Sequence, residues 1–242
     1  MTIMDEQSSV LQTGRQEFDR NLGKLEAELI LMSGLVEQAI FDALSALKHR
    51  DLERSQKVID EDDLIDETEL RIERTCVDLI RREAPMAGDL RRIVATLHIA
   101  GELERIGDYA EGIAKISIMM GNQPPLKELI DIPHMGDMAV DMLKRALGAF
   151  IGRDSDSVHS ITADLEKYDD GVDDLYDKVQ NDLVEIMKSD PDAAERAMYL
   201  MRVAHNVERV ADRAMNIVER ALYQATGELI SGSTHIDVSS TE

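Results

Sequence analysis

The feature that most constrains this chain is that it repeats itself. Met32 to Asp51 (MSGLVEQAIFDALSALKHRD) aligns without gaps on Met135 to Asp154 (MGDMAVDMLKRALGAFIGRD). Glu61-Asp62-Asp63-Leu64-Ile65-Asp66 aligns on Tyr168-Asp169-Asp170-Gly171-Val172-Asp173. Leu103-Glu104-Arg105-Ile106-Gly107-Asp108 aligns on Val207-Glu208-Arg209-Val210-Ala211-Asp212. Three matches in the same order mark an internal duplication, so the two halves should share one fold.

Apolar spacing makes that fold helical. Leu22, Leu25, Leu29, Met32, Val36, Ala39, Ala43 and Ala46 step by threes and fours, the stripe of a long first helix ending near Arg50-Asp51. Val58, Ile65, Ile72 and Leu79 mark a second helix, and a third runs from about Gly88 to Met120, with Leu90, Val94, Leu97 and Gly101 on one seam. All five prolines (Pro85, Pro124, Pro125, Pro133 and Pro191) fall where helices should stop or start. Aromatic residues are 3% and Trp is absent, which suits a core of Leu, Ile, Ala and Met better than a sandwich or barrel. The expected fold class is therefore all-α. Two tandem three-helix bundles of spectrin-like type, at 18–121 and 126–226, lie between mobile ends at 1–17 and 227–242.

Charge narrows the function. The formal net charge of −22 opposes nucleic acid and simple docking on anionic lipid. The single Cys76 rules out an internal disulfide and a Cys-based metal site. With no leader-like N-terminus and no run of about 18 apolar residues, neither a signal peptide nor a membrane-spanning helix is expected, and the expected compartment is the cytoplasm.

The acids are what the pattern does not absorb. Continued past Gly101, the third-helix seam meets Glu104, Asp108 and Glu111; in the sixth helix Glu208 and Asp212 follow Met198, Met201 and His205. Asp62 and Asp66 lie on the apolar side of the second helix, Asp169 and Asp173 on that of the fifth. Residues four apart on a helix are neighbours, so each pair sets two like charges side by side. Two such pairs facing each other on a core-facing side call for a cation, and clustered carboxylates suit hard metal ions. Spacing alone leaves alternatives open: the acids reach solvent, or an arginine such as Arg213 neutralises them. His205 and His98 lack histidine counterparts in the other copy and read as core or rim residues. No phosphate-cradling glycine loop and no nucleophile motif is present.

At these residues the sequence resembles the PhoU family, bacterial regulators of phosphate uptake. The likeness rests on Pro85-Met86, on Asp89-Leu90-Arg91-Arg92-Ile93, on Leu103 through Lys115 and on Val207 through Ile217, and spans about Phe18 to Ala225. It implies tandem three-helix bundles with multinuclear metal clusters of iron or zinc, or of magnesium or manganese in cells. The implied ligands are Asp62, Asp66, Glu104, Asp108, Asp169, Asp173, Glu208 and Asp212. It further implies a non-enzymatic, cytoplasmic homodimer that meets the membrane only through its partners. These would be the ATPase subunit of the phosphate ABC transporter and a sensor histidine kinase, and the effect would be negative regulation of uptake and of starvation signalling. A regulator of another ion-transport system and a carboxylate-bridged di-iron enzyme are the competing readings. Neither copy has the inward Glu-x-x-His order usual in di-iron bundles. The second copy departs from the first at Val207 and Ala211 and lacks the Asp-Leu-Arg-Arg opening, so its site need not be equivalent.

Overall fold

A computed structural model describes residues 3–228, with side chains from Gly14 onward. It contains helices α1 (Ile3–His49), α2 (Leu52–Glu83), α3 (Ala87–Met120), α4 (Asp131–Gly152), α5 (Ser155–Ser189) and α6 (Ala194–Thr226). A short 3-10 turn, Pro191–Ala193, precedes α6, and no strand occurs among the described residues. Residues 3–17, expected as a lead-in to the first bundle, are helical and continuous with α1; Arg15 pairs with Asp89, and Phe18 is buried. Mobility expected of the tail falls mainly on 229–242, outside the described residues.

The chain turns the same corner in both copies. Arg50 and Arg153 take left-handed backbone, with φ of 58° and 59°, at the ends of α1 and α4. The next residue, Asp51 or Asp154, then caps the following helix by accepting a hydrogen bond from the amide of Arg54 or Ser157, each at 2.9 Å. Matched turns give matched antiparallel helices: α1, α2 and α3 pack on one another, as do α4, α5 and α6.

The stripe expected on α1 is the core, with Leu22, Leu25, Leu29, Met32, Val36, Ala43 and Ala46 buried. The α3 seam is a different matter. Leu90 is 37% exposed and Met198, on the α6 seam, is 60% exposed, while Ile93, Ile99, Leu103, Ile106, Ala110 and Ile113 are fully buried. The true core line runs beside the one that the spacing suggested. α3 packs on α1, α2 and α6 at once and is apolar over most of its circumference, so its sequence does not single out one face. α1 contains a stretch long and apolar enough by composition to cross a bilayer; 50% of it is buried in the bundle, as in the core helix of a helical domain.

The two bundles join along α3–α6 and α1–α4. Glu102 of α3 accepts from Arg213 at 3.3 Å and Asn216 at 3.1 Å, and Arg209 donates to the Tyr109 hydroxyl at 2.9 Å. These pairs make α3 and α6 antiparallel and place both acidic motifs at one height. At one end of the seam, Glu26 of α1 accepts from Arg92 at 2.9 Å and from Arg153, at the end of α4, at 2.6 Å. Its side chain is 14% exposed. Removing one partner of a fully buried ion pair costs about 3–5 kcal/mol. Glu26→Ala, in this mostly buried setting, should lower unfolding free energy by roughly 2–3 kcal/mol, measured by chemical denaturation.

Candidate metal centre

α2 and α3 each set acids at steps of four and three along the groove between them: Asp62, Asp66 and Glu69 on one wall, Glu104, Asp108 and Glu111 on the other. Oxygens of Asp62, Asp108 and Glu111 lie within 4.8 Å of one another, close enough to share one ion. Glu111 and Glu69 were not among the expected ligands, although both continue the stepping of the pairs beside them. Among the described residues, this is the one place where three such ligand atoms come that close. In the second repeat, Asp169 and Asp173 of α5 face Glu208 and Asp212 of α6, near enough that the neighbouring carboxylates disfavour the charge of Asp169 and Glu208. The flanking positions there are Tyr176 and Met215 in place of Glu69 and Glu111.

The acids do not point into the core. Asp66, Asp108 and Asp173 are exposed, and Asp62, Glu104, Asp169, Glu208 and Asp212 are half-buried. The seam that carries Glu104 and Asp108 lies beside the core line from its start: Leu90 is exposed, and Val94, Leu97 and Gly101 are only partly buried. Water therefore reaches every acid, but incompletely.

Incomplete hydration shows in their protonation. Burial first, then Glu111, Asp66 and Asp108, push Asp62 up to about 6, with Lys115 opposing. Burial, then Asp108, Asp66 and Glu69, push Glu104 up to about 7. Burial and neighbouring carboxylates likewise raise Asp169 and Glu208, each to about 6. No described lysine or arginine forms an ion pair with any of the eight expected ligands. The nearby arginines are engaged elsewhere: Arg105 lies 3.1 Å from Glu102, and Arg213 and Arg209 serve the seam between repeats. Arg105 still eases the charge of Glu104, and Arg209 and Arg213 that of Glu208, but each does so without an ion pair to it. Lys115 pairs with Glu111 and is the one lysine at the first cluster. In the second, Glu208 Oε2 is buried without a hydrogen bond, and His205 Nδ1 stands 3.3 Å from it but out of line to donate. His205, set aside as a rim residue, is a rim residue that adjoins the site.

Gly107 sets how closely the first groove closes. A Cβ there would stand 3.1 Å from Ile65 Cδ1 and 3.4 Å from Asp62 Oδ1. In the second repeat Ala211 occupies that position and Val172 replaces Ile65. One methyl group has moved from one helix to its neighbour, and packed volume is nearly conserved.

Comparison with known proteins bears on these features. The model of the PhoU domain matches residues 29–117 and again 132–221. The chain is 35% identical over 211 residues to a phosphate-specific transport system accessory protein PhoU homolog of Zymomonas mobilis, covering 87% of each chain. It is 37% identical to the homolog of Aquifex aeolicus, covering 87% of this chain and 94% of that one. The crystal structure of the phosphate transport system regulatory protein PhoU from Streptococcus pneumoniae superposes with a TM-score of 0.80 at 29% identity, covering 88% of this chain and 99% of that one. PhoU from Pseudomonas aeruginosa gives 0.79 at 33%, covering 87% and 100%.

Two expectations follow from the geometry. In metal-free protein the unfolded chain ionises Glu104 near 4.5 while the folded chain holds its proton to about 7. The native state is therefore favoured at acid pH and loses stability as pH rises through that window. The melting temperature of chelated protein should fall between about pH 5 and about pH 8, and Glu104→Gln with Glu208→Gln should flatten that fall. Gly107→Ala should cost roughly 1–2 kcal/mol by crowding Ile65, and adding Ile65→Val should recover about 1 kcal/mol in a double-mutant cycle.

Proposed function

The chain belongs to the PhoU family, and on that footing we propose that it is a metal-bearing regulatory adaptor of phosphate transport. Its role is negative: it restrains uptake and starvation signalling when phosphate is plentiful. It does so in the cytoplasm as a homodimer, at the inner face of the membrane, linking the ATPase subunit of the phosphate ABC transporter to a sensor histidine kinase. The relatives named above are accessory and regulatory proteins of phosphate transport, which supports the adaptor reading over an enzymatic one.

One observation carries the metal in this reading. Two rows of exposed and half-buried carboxylates lie beside the α3–α6 pair, the eight expected ligands without an ion pair to a described lysine or arginine, and three oxygens are already gathered at Asp62, Asp108 and Glu111. These residues, with Asp66 and Glu104 adjoining, would hold the ion in the first repeat; Asp169, Asp173, Glu208 and Asp212 would hold it in the second. An all-oxygen set suits magnesium, manganese or iron, whereas zinc, with its taste for nitrogen, is better served beside His205. A bound cation supplies positive charge and open ligand positions, suited to an acidic side chain of a partner or to phosphate. The chain's own contribution is rigidity. Each acid stands on a long packed helix, so the spacing between ligands is set by helix packing, with Ile65 against Gly107 in the first repeat, rather than by loops.

Elemental analysis of protein purified without added metal tests the assignment. Glu104→Ala with Glu208→Ala should strip most of the metal and weaken binding to the transporter ATPase and the kinase by about tenfold or more. Metal retained in full by the double variant would sink the site assignment, and unaltered partner binding would separate the metal from the adaptor role.

A further inference from the structure

The duplication offers an internal control for a second kind of site. The first repeat's corner has two arginines, Arg92 at the start of α3 and Arg153 at the end of α4, gripping the carboxylate of Glu26, with Asp89 at 4.0 Å from Arg92. The pseudo-two-fold of the duplication relates this corner to another. Arg196, at the start of α6, is the counterpart of Arg92, and Arg50, at the end of α1, is the counterpart of Arg153, down to the same left-handed backbone. Both arginines are kept, yet both carboxylates are lost: Glu26 corresponds to Leu129, and Asp89 to Ala193.

What the two arginines touch instead is weak. Arg50 Nη1 lies 3.7 Å from Met120 Sδ, and Arg196 Nη1 donates to the Pro124 carbonyl at 3.2 Å. Neither forms an ion pair with any described carboxylate. Arg196 stands close enough to Arg50 that, after burial, it is the main influence disfavouring the Arg50 charge. Two half-buried guanidiniums left near each other without a counter-charge is an odd economy in a chain of net charge −22, where acids are plentiful. Guanidinium forks match planar or tetrahedral oxyanions in two-point hydrogen bonds.

We propose that Arg50 and Arg196 form an oxyanion site that takes inorganic phosphate in the place that the Glu26 carboxylate fills in the other corner. The choice of phosphate among oxyanions rests on the phosphate-transport reading above; the pairing of the arginines does not. Occupancy has a structural consequence. Glu26 fastens α1 to α3 and α4 at one end of the seam between repeats, and phosphate fastens α1 to α6 at the other. The join between the repeats then tightens with phosphate concentration.

The test is titration of the full chain with inorganic phosphate, by calorimetry and by thermal melting, at low ionic strength and after chelation, so that no seam metal can take the anion. The expected result is one phosphate per chain with a raised melting temperature. Arg50→Gln and Arg196→Gln should each weaken binding by about tenfold or more, as loss of a charged two-point contact does. Arg153→Gln, in the corner that Glu26 already satisfies, should leave the affinity within about twofold. Should either glutamine variant lose helicity, Arg50→Lys and Arg196→Lys carry the test, because they keep the charge and lose the fork; weaker binding supports the site and unchanged binding overturns it. No phosphate uptake by the wild-type chain, or uptake unchanged in both arginine variants, would also overturn it. Neither result bears on the metal seams, whose readout is elemental content.

Discussion

The packing of α3 against α6 is the interaction on which the rest depends. Each is the third helix of its bundle, and each completes its burial only on the other, with Glu102, Arg213, Asn216, Tyr109 and Arg209 fixing their register. That register brings Glu104 and Asp108 level with Glu208 and Asp212. It also occupies the very arginines that would otherwise neutralise them. A seam that joins the repeats thus leaves the acids unbalanced, and the site is a by-product of how the interface is satisfied.

Much of this was legible in the residues. The duplication, the helix limits near Arg50, Met120 and Thr226, and the α1 core stripe all follow from spacing and proline placement, because α1 buries one well-defined side. α3 was less legible. A helix covered on three sides is apolar nearly all round, and only tertiary contacts reveal which line is core and which is rim. The eight acids were found because they interrupt an apolar rhythm, but spacing left their exposure open, since that depends on which line of α3 its neighbours cover. Glu69 and Glu111 continue the rhythm by one more step. What the spacing lacked was the knowledge that α2 and α3 stay close for that extra turn, which Gly107 permits.

The two corners show how a duplicated chain diverges under electrostatic constraint. Arginines at both ends of the seam were retained, while the acid between them survived only where α1 extends beyond α4. In the second repeat the equivalent stretch is the connecting segment around Leu129, which is buried and lines a small hollow with Val179, Leu183 and Leu200. Apolar cover displaced a counter-charge there, and the guanidiniums were left to find another partner.

The methyl group that separates Ile65 and Gly107 from Val172 and Ala211 has a consequence for how the halves can be inherited. A crossover that set α2 beside α6 would bring Ile65 against Ala211 and overfill the groove. The reciprocal crossover, α5 beside α3, would bring Val172 against Gly107 and leave a void. Recombination between the copies is therefore penalised in both directions, although four acids correspond in each.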